Sequence, residues 1–161
     1  MTLTLYRIQT DSHCDTILQG LGAQRHGGRW NARGRPMVYL ATTPELCLLE
    51  YLVHLNGTPV ADLPPLILCE VTVPADGITN LATEQLPVGW NDPDNPIPGL
   101  PAFAEAQFQH FRTMALAVPS AIMPLSPSRN ILLDPLHPRH QECAVVGIHP
   151  YPMDPRLPSA S

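Results

Sequence analysis

The stretch that decides this chain's fold is Gly27–Glu50, GGRWNARGRPMVYLATTPELCLLE. It changes character twice. Gln24 to Pro36 is rich in glycine and arginine and reads as a loop. Met37 to Ala41 is then a short apolar run bounded by Pro36 and two threonines, the signature of a buried strand. A helix follows at once: Thr43 can cap it with Pro44 at the first helical position, and Thr42 to Glu45 has capping-box spacing. It continues through LCLLEYLVHL to an Asn56-Gly57 stop. Leucines, Cys47 and Val53 surround it on most sides, so a central, buried helix is expected. Glu50 stands where a leucine would be expected. Ionised carboxylates are rarely buried unless they are paired or functional. One account of Glu50 is a salt bridge to an arginine or to His54; the other is a carboxylate aimed into a ligand pocket.

Outward from this stretch, strands and helices come in mixed order. Leu3–Ile8 alternates as a strand, and Asp11–Gly22 is weakly helical. Pro65–Val73 is a strong strand, Asp76–Leu86 a loop or short helix, and Trp90–Pro101 a proline-rich crossing. Ala102–Phe111 reads as a helix; Thr113–Val118, Asn130–Leu133 and Ala144–Ile148 read as strands. Many strands with few helices imply an α+β fold rather than a doubly wound sheet. At 161 residues the chain is most simply one domain, residues 1–161, with a proline-rich tail from about residue 150.

Composition narrows the chemistry. A net charge of −5 argues against a general nucleic-acid binder. There is no lysine: all nine basic residues are arginine, and four of them fall at Arg25, Arg29, Arg33 and Arg35. Arginine grips phosphate bidentately, and the Gly27-Gly28 pair lets backbone approach an anion beside Arg29. The bland alternative is a solvated turn, and the segment is neither a P-loop nor GxGxxG. Ser120 lies in no GxSxG elbow, which disfavours a nucleophilic serine but suits a hydrogen-bonding one at a strand end. Cys47 and Cys69 look like small core residues. His137 and His140 are separated by a proline, and Cys14 stands beside His13; neither pair suits zinc, and no metal is expected. No secretory signal or membrane-spanning run is visible, so a cytoplasmic protein with reduced thiols is expected.

Together these residues resemble the RES domain, the toxin partner in many bacterial toxin–antitoxin pairs. The resemblance is carried by LYRI, GGRWNARG, VYLATTPELCLLEYLVH, VPSAIMP, NILLDPLHP and DPRL, in order along nearly the whole chain. The family is named for an arginine, a glutamate and a serine, matched by Arg29, Glu50 and Ser120. Asp134 departs from the asparagine more usual there, and MPLSPSRN slightly lengthens the loop between Ser120 and Asn130.

The resemblance implies an ADP-ribosyltransferase-like fold, with a split α+β sheet, flanking helices and a cleft for NAD. It implies a toxin that cleaves NAD at the nicotinamide–ribose bond and passes ADP-ribose to water, phosphate or a protein acceptor. A cognate Xre-like antitoxin is the implied partner, with DNA met only through it. In the implied site, Glu50 stabilises positive charge on the ribose, while Arg29, with Arg7 as a second cation, holds the pyrophosphate. Tyr39 stacks on nicotinamide, Ser120 bonds the carboxamide or ribose, and Asn130 supports it. The competing class is a non-catalytic nucleotide-binding module that pairs with an antitoxin; an RNA-cleaving toxin is disfavoured by the acidic balance.

Overall fold

The computed structural model describes residues 1–94 and 97–157. Parts of the proline-rich crossing (95–96) and of the tail (158–161) lie outside the described residues. The chain forms Thr2–Thr10 (β1), Leu21–His26 (α1), Val38–Ala41 (β2), Pro44–Val53 (α2), Leu66–Pro74 (β3), Ile78–Asn80 (β4), Leu100–Phe111 (α3), Ala115–Pro119 (β5), Arg129–Leu133 (β6) and Ala144–Pro150 (β7), with short 3-10 turns between. The strands make one sheet in the order β4-β5-β6-β2-β1-β3-β7, in which β4 and β5 alone run parallel. This is the expected α+β architecture.

The sheet is split at its centre. β1 pairs with β3 along its whole length, from Thr2 opposite Pro74 to Thr10 opposite Leu66. It meets β2 at a single register pair, Tyr6 with Ala41. Two halves, β4-β5-β6-β2 and β1-β3-β7, are therefore hinged at one point. Beyond it the Arg7 guanidinium bridges the strands, donating through Nη1 to the Tyr39 carbonyl (3.0 Å). A main-chain acceptor left without its ladder partner is thus satisfied by a side chain.

Strand alternation sorts the core into two faces. Leu5, Val38, Leu40, Cys69, Val71, Ile131 and Leu133 share one buried cluster, to which Ile17 also belongs. The opposite face carries two separate clusters. Met37, Leu116, Val118 and Leu132 pack with Leu100, Ala104 and Phe108 of α3, while Ile8, Ala41 and Leu66 pack with Leu46 and Cys47 of α2. Fully burying one such side chain contributes about 1.5–3 kcal/mol, so each cluster fastens its helix firmly. The boundary between them crosses β2 between Tyr39 and Ala41. That boundary positions the site.

Several expectations need correcting. α2 is not central: only Leu46 and Cys47 are buried, and Val53 and His54 are exposed, because the helix covers one half of one sheet face. Thr43 is its cap, accepting from the Leu46 amide (3.2 Å). Thr42 instead uses its hydroxyl to accept from the Arg129 amide (2.8 Å), extending the β2–β6 ladder. α2 also stops at Val53, three residues before the Asn56-Gly57 turn, where both residues take positive φ. The weak helix over Asp11–Gly22 is a 3-10 segment, Asp11–Thr16, and α1 starts only at Leu21, near its end, running on to His26 in what reads as loop. β4 forms within Asp76–Leu86 because Ile78–Asn80 find a parallel partner in β5, which local sequence cannot announce. Among the described residues, no helix is long and apolar enough to cross a membrane.

Candidate active site

α2 leaves the sheet boundary carrying Glu50 on its second turn; β5 ends and β6 begins beside it. Ser120 follows Pro119 at the end of β5, fully buried. Asn130 sits on β6 in register with Ala41 on one side and Val118 on the other. One oxygen of Glu50, Oε1, accepts from Ser120 Oγ (2.9 Å) and from Asn130 Nδ2 (2.6 Å). The Ser120 hydroxyl is itself oriented, since its oxygen accepts from the amides of Ile122 (3.1 Å) and Met123 (3.3 Å). Its one proton is thereby directed at Glu50. Among the described residues Glu50 makes no salt bridge, and no protein donor is paired with its Oε2. His54, the anticipated ion-pair partner, meets the Glu50 backbone carbonyl through Nδ1 (2.7 Å) and not the carboxylate. Of the two accounts of Glu50, the salt bridge is therefore the wrong one. The carboxylate is aimed by neutral donors, which leave its charge uncompensated.

Tyr39 lies two residues before Ala41 on β2, and so on the same sheet face as Asn130. Its hydroxyl donates to Asn31 Oδ1 (2.5 Å) and accepts from the Trp30 amide (3.3 Å). Burial pushes the phenol well above the usual tyrosine range, so it stays a protonated donor. The glycine-rich loop is thus tied to β2. Glycine is required at position 28: a Cβ there would lie 2.8 Å from both Asn31 Oδ1 and the Tyr39 hydroxyl.

Arg29 is half-buried and does not touch Glu50. Its Nη1 donates to the carbonyls of Trp90 (2.8 Å) and Asp92 (3.1 Å), stapling the loop to the proline-rich crossing, where Trp30 and Trp90 lie with ring centroids 6.1 Å apart. Arg7 makes no hydrogen bond to Glu50, Ser120 or Asn130, and its charge acts on Cys47 of α2 and Cys69 of β3. By alternation with Tyr6 it belongs to the opposite face, and its Nε donates to Gln9 Oε1 (2.7 Å). Desolvation lowers its pKa, yet it remains a cation.

The structure thus joins Glu50, Ser120 and Asn130 directly, ties Tyr39 of β2 to the loop that carries Arg29, and sets Arg7 at the split. Sequence reasoning did not assign the carbonyls of Trp90 and Asp92, nor the anchoring set Asn31, Arg35 and Asp134. Asp134 accepts from Arg35 Nη1 (2.6 Å), and Glu105 accepts from Arg35 Nε (3.0 Å). Burial pulls the Arg35 pKa down, but these two carboxylates outweigh it and hold it above its usual value. The departure at Asp134 thus supplies a charge partner for the loop's last arginine. No sequence signal separates such an anchor from a surface charge; only its partners do. Among the described residues no cluster of three or more metal-ligating side chains occurs.

The comparisons with known proteins agree with this architecture. The family model described as RES domain matches residues 4–154. A protein named Toxin Res from Photorhabdus laumondii is 34% identical, the match covering 83% of each chain. A Toxin Res from Yersinia enterocolitica is 30% identical over 96% of this chain and 99% of its own. A Sphingobium protein named Prs ADP-ribosylating toxin is 35% identical over 98% of both chains. Among solved structures, a chain of the M. tuberculosis MbcT–MbcA toxin–antitoxin complex superposes with a TM-score of 0.71 at 18% identity, covering 94% of this chain and 85% of that one. At that identity the likeness concerns fold.

Proposed function

The chain belongs to the RES domain family, and from that premise we propose that it is the toxin of a toxin–antitoxin pair, an enzyme that cleaves NAD at the nicotinamide–ribose bond. One observation carries the reading. Glu50 Oε1 is clamped by Ser120 and Asn130, while Oε2 has no protein donor among the described residues. Breaking the glycosidic bond sends its electron pair to nicotinamide and leaves positive charge on the ribose ring, as in glycoside hydrolysis. A carboxylate fixed beforehand stabilises that charge without reorganising at the moment of reaction. Neutral donors on Oε1 orient the group without placing an opposite charge beside it.

The other residues divide the remaining work. Arg29, its Nη1 already held by two carbonyls, offers its remaining donors to the pyrophosphate. Arg7 adds positive charge from the split in the sheet. Tyr39 presents its ring to nicotinamide, its hydroxyl being used within the protein. Ser120 and Asn130 reach the ligand chiefly through Glu50. The acceptor oxygen then bonds to the ribose carbon and gives its proton to solvent. The Sphingobium relative's name, an ADP-ribosylating toxin, favours a protein acceptor as the second reading over water or phosphate. An antitoxin of Xre-like type is the proposed partner; the similar fold of one solved toxin–antitoxin complex supports a protein partner of that general kind.

The test is to incubate purified protein, free of antitoxin, with NAD labelled on the adenylate phosphate, with and without inorganic phosphate and with a cell lysate. Free nicotinamide with a small labelled product supports NAD consumption, and dependence on phosphate names that acceptor. Label on a protein band supports transfer. No turnover in any arm would leave a binding module as the better reading.

A further inference from the structure

We propose that Asn31 is the positioning residue of this site: its buried carboxamide holds the loop bearing Arg29, and the Tyr39 ring, in one preset arrangement for the anionic ligand. The inference rests on the NAD reading above and adds a residue to it.

Asn31 is 2% exposed, in a loop rich in glycine and arginine. Its Nδ2 shares two protons among three carbonyls: Ala23 on α1 (2.9 Å), its neighbour Ala32 (3.2 Å), and Arg35 at the loop's exit (3.0 Å). Its Oδ1 accepts from the Tyr39 hydroxyl. The Asn31 backbone carbonyl accepts from the Gly28 amide (2.9 Å), and the Tyr39 hydroxyl accepts from the Trp30 amide. The two amides flanking Arg29 are therefore both tied to the Asn31–Tyr39 pair. Its far end is held by Arg35, whose guanidinium is gripped by Asp134 and Glu105 and lies over the Phe108 ring.

Only a carboxamide supplies donors and an acceptor from one planar head of this size. Aspartate has the same shape and no donors, so Asn31→Asp removes the three Nδ2 bonds with little change in volume. Tyr39→Phe removes the complementary link and leaves the three Nδ2 bonds intact. A loosened Arg29 loop weakens ground-state and transition-state binding alike, which raises KM with kcat preserved.

Both variants are to be assayed for NAD turnover and followed by hydrogen exchange at the Gly28 and Trp30 amides. The expected result is a KM for NAD raised about tenfold, kcat within about threefold of wild type, and exchange at those amides at least about tenfold faster while β3 amides are unchanged. Unchanged exchange, or faster exchange with unchanged KM, or a loss confined to kcat, overturns the proposal. If wild type consumes no NAD, the functional reading has failed, and the exchange measurement alone decides whether Asn31 holds the loop. If Asn31→Asp does not fold, Tyr39→Phe carries the same two measurements.

Discussion

Glu50 shows how much a carboxylate's meaning depends on who donates to it. Among the described residues it has two neutral donors on one oxygen, no ion pair, and a position at the boundary of two apolar clusters. Glutamine in its place keeps an oxygen for Ser120 and Asn130 and loses only the charge. Glu50→Gln is therefore expected to fold as wild type, with a melting temperature within about 3 °C, and to lower NAD turnover by at least about 100-fold. Nicotinamide release and a thermal melt on the same preparation check both halves. Turnover within tenfold of wild type would remove Glu50 from the chemistry. The need for a residue at 50 that breaks the leucine pattern was readable from the helix alone; its partners, 70 and 80 positions downstream, were not.

At the scale of elements, α2 delivers Glu50, and its start fixes where Glu50 points. Thr43 and Pro44 set the first turn, and Glu50 follows on the second. Removing the cap leaves the Leu46 amide without its side-chain acceptor. Thr43→Ala should cost about 1 kcal/mol of stability, read as a shift in the denaturant midpoint at constant slope. A loss under about 0.3 kcal/mol would mean that solvent serves that amide equally well. The cap was legible because its signal is local, three residues from Thr43 to Leu46. The helix's burial was misread because its leucines suggested an all-round core. Only Leu46 and Cys47 of α2 are buried, and Val53 is 51% exposed.

For the whole molecule, the buried thiols and phenol make an alkaline prediction. Burial pushes the Cys47 thiol up to about 12 from 9.0, and it raises the Cys69 and Tyr39 groups as well. The folded state therefore keeps protons that the unfolded chain gives up. Stability from these groups is fully present below pH about 9 and falls as pH rises from there through the folded values, by about 1.4 kcal/mol per unit for each group in its window. Denaturation midpoints measured from pH 8 to pH 11 should decline, and Cys47→Ala should flatten the decline after allowing for its own constant loss from packing. A slope unchanged in Cys47→Ala would assign the loss to other groups.

What the sequence by itself determined is what periodicity and punctuation encode: the α+β class, most strand positions, the start of α2, and a polar trio set in a recognisable order. All but the trio's order are local properties, readable within a dozen residues. Tertiary structure alone decided the rest. The sheet splits because β1 and β2 share one register pair, and β4 exists because β5 lies beside it. Glu50 became a clamped, unpaired charge, and not half of a salt bridge, because two strand ends remote from it in sequence meet it at a boundary between clusters. Asn31 reads as an ordinary turn residue until its carboxamide is seen closing four bonds inside the fold. Hydrogen bonds between distant residues have no spacing rule; their partners are chosen when the sheet closes.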